Sequence, residues 1–142
     1  MRLFGKKESK ELVIYTMKGC DYCDKVREAL TEKNIEFVEK LTNEWQEEWD
    51  KIIGLTNIPT TPTIYYKNSY FMPGRDFSNP QHLLNILKNF KNSEFSESRQ
   101  ALEQIKTLNY NMSTAFGRLD QLLRQIEKNY RELFEDEETK TE

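Results

Sequence analysis

The sequence predicts an α/β domain built on a four-stranded mixed sheet, followed by a long C-terminal α-helix. Three observations carry this expectation. Short apolar runs alternate with stretches of helical spacing from residue 11 to residue 91. Two cysteines, Cys20 and Cys23, fall between the first apolar run and the first helical stretch. Beyond residue 95 the apolar side chains recur every seven positions.

Residues 1–10 are charged and form an N-terminal extension. Leu12-Val13-Ile14-Tyr15 is a short continuous apolar run, as expected of a central strand buried on both faces. Thr16 to Gly19 form a loop. Tyr22, Val26, Ala29 and Leu30 then recur at helical spacing from Asp21 to about Asn34, which is a plausible stop. Ile35-Glu36-Phe37-Val38 predicts the second strand. Thr42 or Asn43 would cap a helix reaching about Ile53, with Gly54 as terminator. Trp45 and Trp49, four apart, would share one face of it for packing. Thr63-Ile64-Tyr65-Tyr66 and Tyr70-Phe71-Met72 predict a hairpin turning at Lys67-Asn68-Ser69. Asn79-Pro80 opens a last domain helix that runs to Phe90. The resulting order is β-α-β-α-β-β-α, a mixed sheet with helices on both faces.

After a junction at Asn92-Ser93-Glu94 the pattern changes. Ile105, Met112, Leu119, Ile126 and Leu133 form one series of sevens, and Leu102, Asn109, Phe116, Leu123 and Tyr130 another. Together they make an a/d heptad pattern over a helix spanning 95–134, with Asn109 at an a position as a register-setting residue. Ala101, Leu108, Ala115 and Leu122 widen the stripe beyond a two-stranded seam. Three or more strands, an antiparallel bundle, or packing on the preceding domain would use that width. A homo-oligomer through residues 102–133 is the expectation, with a single helix folded back as its competitor. Residues 135–142 are mostly acidic and are expected to be disordered.

Composition excludes several classes. With 37% hydrophobic and 32% charged residues the chain is of soluble globular type. A net charge of −3 argues against a general grip on nucleic acid. No apolar run approaches the ~20 residues of a membrane span, and Met1-Arg2-Leu3-Phe4-Gly5-Lys6-Lys7 lacks a signal-peptide core. A reducing cytoplasm is the expected compartment. Two cysteines cannot staple a secreted scaffold, and zinc would need two more ligands. The sole histidine, His82, lies in another segment, so no metal is expected.

The cysteine pair is the candidate reactive centre. A thiol reacts as its thiolate, and Cys20 would sit just before the first turn of a helix, where unpaired backbone N–H groups favour a negative sulfur. Lys18 adds a nearby positive charge. Cys23, one turn deeper, is suited to resolve a mixed disulfide by attacking the Cys20 sulfur. Pro62, at the head of an otherwise buried strand, calls for a special role. A cis Thr61-Pro62 bond would expose the Thr61 N–H and C=O to an extended peptide; a trans proline would merely start the strand.

These residues resemble the glutaredoxins of the thioredoxin superfamily over roughly Glu11 to Phe90. The resemblance rests on Val13-Ile14-Tyr15-Thr16, Cys20-Asp21-Tyr22-Cys23 with Val26 and Leu30, Thr61-Pro62-Thr63-Ile64, and Gly74-Arg75-Asp76. It implies a thioredoxin fold and a cytosolic thiol–disulfide oxidoreductase that uses glutathione as co-substrate on disulfide-containing proteins. Cys20 would form the mixed disulfide, with Tyr22 flanking it. Thr61 and Pro62 would hold the tripeptide backbone, and Asp76 would meet its γ-glutamyl amine. Lys18, and Arg75 with it, would attract a glutathione carboxylate. Two other functions compete: a thioredoxin-like electron donor to a dedicated enzyme such as ribonucleotide reductase, and a coiled-coil assembly protein whose redox fold is a docking module. An iron–sulfur cluster shared through Cys20 and glutathione, as in some relatives, is disfavoured by the charged Asp21.

Overall fold

A computed structural model of the chain describes residues 11–91 and 99–138. The N-terminal extension, the junction after Lys91, the first residues assigned to the tail helix and the last four residues lie outside them. Four strands, β1 (Val13–Thr16), β2 (Val38–Leu41), β3 (Thr63–Tyr66) and β4 (Ser69–Phe71), form one sheet in the order β2-β1-β3-β4. β1 runs parallel to β2 and antiparallel to β3, and β4 returns antiparallel to β3. The helices are α1 (Asp21–Glu32), α2 (Gln46–Thr56), α3 (Pro80–Asn89) and α4 (Arg99–Glu138). The mixed sheet, the order of elements and the long C-terminal helix are those expected.

β1 is central and buried along its whole length, so its alternating side chains feed two cores. Leu12 and Ile14 join Val26, Leu30, Ile64, Phe71, Phe77, Leu83 and Leu87 on the face covered by α1 and α3. Val13 and Tyr15 join Trp49, Ile52, Tyr70 and Met72 on the face covered by α2.

Three boundaries differ from the sequence expectation. β2 begins at Val38, because Asn34 takes a positive φ of 53° and the Ile35 N–H donates back to the Leu30 carbonyl at 3.0 Å. That bond continues the cap of α1 and removes Ile35 from the ladder. Ile35 and Phe37 pack on the first core instead, and pairing starts where Val38 N–H meets the Leu12 carbonyl. α2 begins at Gln46, since the Thr42 N–H still donates to Thr16 in the sheet. It passes through Gly54 and ends at Asn57, whose φ of 58° supplies the left-handed cap. Trp45 thereby becomes the N-cap residue, 44% exposed under the Lys40 ammonium, while Trp49 is buried against Tyr15. The two tryptophans therefore do not share one packing face.

The hairpin and α3 form as their local chemistry dictates. Lys67 and Asn68 both have positive φ, the two-residue turn that matches strand twist, and Ser69 already pairs with Tyr66. Asn79 caps α3 by accepting from the His82 N–H at 2.8 Å, and Pro80 fills the first helical turn. His82 is exposed and accepts from the Ser78 N–H, as suits a boundary residue.

A hydrogen-bonded trio links β1, β2 and α2. Glu48 accepts from the Tyr15 hydroxyl and from Lys40 Nζ. The Lys40 hydrogen bond foremost holds the Glu48 carboxyl below its ordinary range, against an opposing effect of burial. Burial, with the Glu48 hydrogen bond second, pushes the Tyr15 phenol above its own. A depressed carboxyl contributes stability that is present above its unfolded pKa and lost as pH falls through the folded one. Glu48→Gln is therefore expected to lower the thermal midpoint at pH 7 and to differ less from the natural chain as the medium is acidified below the carboxylate range. Paired melting curves across pH check this.

The chain separates into two units, the first ending at Thr107 and the second starting at Leu108. The first unit includes the opening turns of α4. There Glu103 and Thr107 are buried at 0% and 3%, against the outer edge of β4 and the end of α2. An edge strand otherwise presents unpaired backbone groups. Here Glu103 accepts from the Tyr70 N–H, and Arg75 and Lys106 donate to the Tyr70 carbonyl.

The second unit is a single helix, continuing to Glu138 past the expected end at Phe134. Met112, Phe116, Leu119, Leu123, Ile126, Tyr130 and Leu133 are all exposed along it. Asp120–Arg124, Glu127–Arg131 and Lys128–Glu132 form i,i+4 ion pairs on its surface. No helix among the described residues is long and apolar enough to cross a membrane.

Candidate functional site

The site lies where β1 hands over to α1. Thr16 is fully buried at the end of the strand, its hydroxyl donating to Glu39 at 2.7 Å. The loop then rises to the surface through Met17, Lys18 and Gly19, and Gly19 takes a φ of 74° that L side chains rarely adopt. Cys20 is the N-cap residue of α1 with extended backbone. Its sulfur accepts from the Cys23 N–H at 3.2 Å, the place where a helix leaves donors unpaired. Such a donor, with the positive end of the helix behind it, stabilises a thiolate once the pair is reduced.

Cys20 and Cys23 are joined as a disulfide, with their Cα atoms 5.2 Å apart. The two sulfurs are not equivalent. Cys23 is completely buried, whereas Cys20 is partly exposed at the rim. Only Cys20 is open to an incoming disulfide, and Cys23 reaches the outside through it.

A second segment closes on Cys20 from across the site. The Thr61-Pro62 bond is cis, and Thr61 faces the cysteine pair. Its carbonyl oxygen lies 3.8 Å from the Cys20 sulfur, and its hydroxyl donates to that sulfur at 3.7 Å. Pro62 is buried at the head of β3, and the Thr63 hydroxyl ties the turn by donating to the Thr60 carbonyl at 2.7 Å. A proline here needs no ladder donor, which leaves the Thr61 backbone turned toward the cysteines.

The other expected site residues divide. Lys18 is exposed on the loop before Cys20. Tyr22 is partly buried, its ring 6.2 Å from Phe77. Among the described residues its hydroxyl has no hydrogen-bond partner, and burial raises its pKa. Arg75 and Asp76 sit in the turn after β4, where Gly74 has a φ of 84° and the Asp76 N–H donates to the Met72 carbonyl. The Arg75 side chain is 0% exposed. It donates to Asp76, the Tyr70 carbonyl and Glu103, each at 2.8 Å, and to the Thr107 hydroxyl at 3.3 Å. The guanidinium is thus held inside the protein and does not stand at the surface. Asp76 is 10% exposed, with one carboxylate oxygen taken by Arg75 and by the Met72 N–H.

Sequence reasoning missed Glu103, Thr107 and the Thr61 hydroxyl. Nothing in the spacing could have flagged the first two, which occupy outer heptad positions where solvated polar residues are ordinary. The Thr61 hydroxyl was findable only once the cis bond had turned that residue toward Cys20. Among the described residues no group of three or more metal-ligating side chains comes together.

A buried strand leading into a helix capped by the outer cysteine, faced by a cis-proline loop, defines a thioredoxin-fold dithiol site of the kind that exchanges thiols and disulfides. Residues 12–71 match the glutaredoxin family model, so this part of the chain is a glutaredoxin domain. The match takes in both cysteines, Thr61 and Pro62, and stops at Phe71, before Arg75, Asp76 and the tail helix. No curated protein matches the chain.

Proposed function

We propose that the chain is a glutathione-using dithiol oxidoreductase that reduces protein or glutathione mixed disulfides. The observation that carries this is the pairing of a rim-exposed Cys20 with the Thr61 backbone beside a cis-proline, over a fully buried Cys23. The Cys20 thiolate attacks the glutathionyl sulfur of a substrate; the old S–S bond breaks and the protein thiolate leaves, taking a proton from water. A second glutathione thiolate then attacks the mixed disulfide, releasing oxidised glutathione and restoring Cys20. With a protein disulfide, Cys23 attacks the mixed disulfide instead, leaving the Cys20–Cys23 disulfide, which two glutathiones reduce.

In this reading the Thr61 N–H and C=O pair with the glutathione backbone over Pro62, and Tyr22 flanks the sulfur. Lys18 draws a carboxylate, and Asp76 meets the γ-glutamyl amine. Arg75, being enclosed, acts through Asp76 and makes no direct contact. Reducing cytoplasm suits the cycle, since its glutathione pool supplies the electrons. The test is glutathione-dependent reduction of a small mixed disulfide by the purified full chain. Turnover above the uncatalysed rate supports the reading, and its absence from folded protein sinks it. A second reading, a thioredoxin-like protein donor recharged by a flavin reductase, is favoured by one observation: Arg75 and Asp76, the residues beyond the family match, are tied to α4.

The second unit is the means of self-association. A straight helix drifts by ~20° per heptad against a strict seven-residue repeat. Four unbroken repeats, from Asn109 to Leu133, therefore suit partner helices of the same pitch better than one globular surface. Asn109 at a core position is tolerable when it meets its own copy, so the occupant of this stripe is a second copy of the chain. Light scattering is expected to give a mass of at least two chains for the natural protein and one chain for Leu119→Glu/Ile126→Glu, with redox turnover retained. A natural protein that is monomeric at micromolar concentration overturns this.

A further inference from the structure

We infer that Thr107 and Glu103, on the opening turns of α4, are positioning residues that set the two loops flanking Cys20, so that affinity for the thiol co-substrate depends on the tail helix. The inference rests on the glutathione reading above.

Two loops approach the Cys20–Cys23 turn, one through Thr61 beside the Cys20 sulfur and the other through Phe77 against Tyr22. One leaves α2 at Thr56 and reaches the cis bond at Thr61. The other leaves β4 at Phe71 and holds Arg75, Asp76 and Phe77. Both are gripped from one side of α4. The Thr107 hydroxyl donates to the Thr56 carbonyl, the last residue of α2, and accepts from Arg75 Nη1 at 3.3 Å. One Glu103 carboxylate oxygen accepts from the Tyr70 N–H at 3.2 Å, and the other accepts from Arg75 Nη2 at 2.8 Å. Arg75 Nε in turn donates to Asp76, whose same oxygen receives the Met72 N–H. Phe77, next along, packs on Tyr22 of the Cys20–Cys23 turn.

This constellation is closed to water, with the Arg75 and Glu103 side chains at 0% exposure and Thr107 at 3%. Buried polar groups without solvent to substitute for a lost partner hold one arrangement and transmit displacement. Among the described residues neither α4 residue is hydrogen-bonded to the cysteines. Their effect passes through the Thr56 carbonyl to the cis-proline loop, and through Arg75 to Asp76. A single hydroxyl at position 107 thus links the two loops. Removing it orphans a carbonyl on one and an N–H on the other.

The experiment uses the full-length chain with Thr107→Val, which keeps the shape and removes the hydroxyl, and Thr107→Ser, which keeps the hydroxyl. Turnover of a small glutathione mixed disulfide is followed against glutathione concentration, with thermal midpoints measured in parallel. Thr107→Val is expected to raise the KM for glutathione about five-fold, within the range of coupling through contiguous networks. Its kcat should stay within about two-fold, and Thr107→Ser should restore the natural KM. A lowered midpoint with KM unchanged in folded Thr107→Val overturns the proposal. If that variant does not fold, Glu103→Gln, which can still accept from Tyr70 but carries no charge for Arg75, is held to the same criterion. Natural protein that turns over with dithiothreitol but not with glutathione refutes the glutathione reading. The KM of the variants for the disulfide substrate under dithiothreitol then decides the positioning role separately.

Discussion

Cys20→Ser is expected to reduce disulfide turnover to the uncatalysed rate, whereas Cys23→Ser should accumulate a mixed disulfide. The asymmetry follows from the burial of the two sulfurs. Cys20 is at the rim, accepts from the Cys23 N–H, and receives the Thr61 hydroxyl, so it alone meets an incoming disulfide with its charge already stabilised. A serine there keeps the shape and the cap but is not a nucleophile at neutral pH. Cys23 is wholly buried and bonded to Cys20, the position of a resolver. Without it, Cys20 still attacks, but a protein substrate stays attached until an external thiol releases it. Mass spectrometry of Cys23→Ser after exposure to oxidised glutathione should show one added glutathione, and the same treatment of Cys20→Ser should not show it on the buried sulfur. Full activity in Cys20→Ser would refute the mechanism. Partial activity of Cys23→Ser on small glutathione mixed disulfides is expected, because glutathione itself resolves them.

The second large effect is on stability. Arg75 and Glu103 form an ion pair whose side chains are both completely enclosed, with Asp76 and Lys106 at its margin. Breaking a buried pair by removing one member costs about 3–5 kcal/mol where the remaining charge has no other partner. Arg75 keeps Asp76 at 2.8 Å when Glu103 is removed, so the lower end of that range applies. A domain of this size is stable by only about 5–15 kcal/mol in total. Glu103→Leu is therefore expected to lower the thermal midpoint by roughly 10 °C or more, followed through the fluorescence of buried Trp49. Arg75→Met should cost a comparable amount, since it takes the guanidinium from both Glu103 and Asp76 and leaves them Lys106 at 3.2 Å and 3.8 Å. The double variant Arg75→Met/Glu103→Leu should recover part of the loss of Glu103→Leu, because an apolar pair of similar volume replaces the ions and leaves Asp76 and Lys106, 3.8 Å apart, to compensate each other. If the single and double losses simply add, the pair is not coupled and this account of how α4 is held is wrong. The same substitutions uncover the Tyr70 edge of β4, so Glu103→Leu is also expected to aggregate more readily on heating.

Much of the fold was legible because its signals are local. The apolar run at Leu12–Tyr15, the Asn79-Pro80 cap, the Lys67-Asn68 turn and the sevens of the tail each state their geometry within a few residues. The errors came where local signals competed with the ladder. Ile35-Glu36-Phe37 has strand composition, yet the αL residue Asn34 directs the Ile35 N–H back into the cap of α1. Thr42 is a good cap residue, but its N–H is taken by Thr16 in the sheet. Gly54 suggested a stop that Asn57 supplies three residues later.

By itself the sequence determined the α/β class, the dithiol at the start of α1 and the heptad helix, since hydrophobic period and cysteine spacing are properties of neighbours along the chain. Tertiary structure alone decided that Thr61-Pro62 is cis and faces Cys20, and that Arg75 lies inside the protein between Asp76 and Glu103. The reason is separation: Cys20 and Thr61 are 41 residues apart and Arg75 and Glu103 are 28 apart. Contacts across such distances depend on which faces the sheet brings together, and no local pattern encodes them.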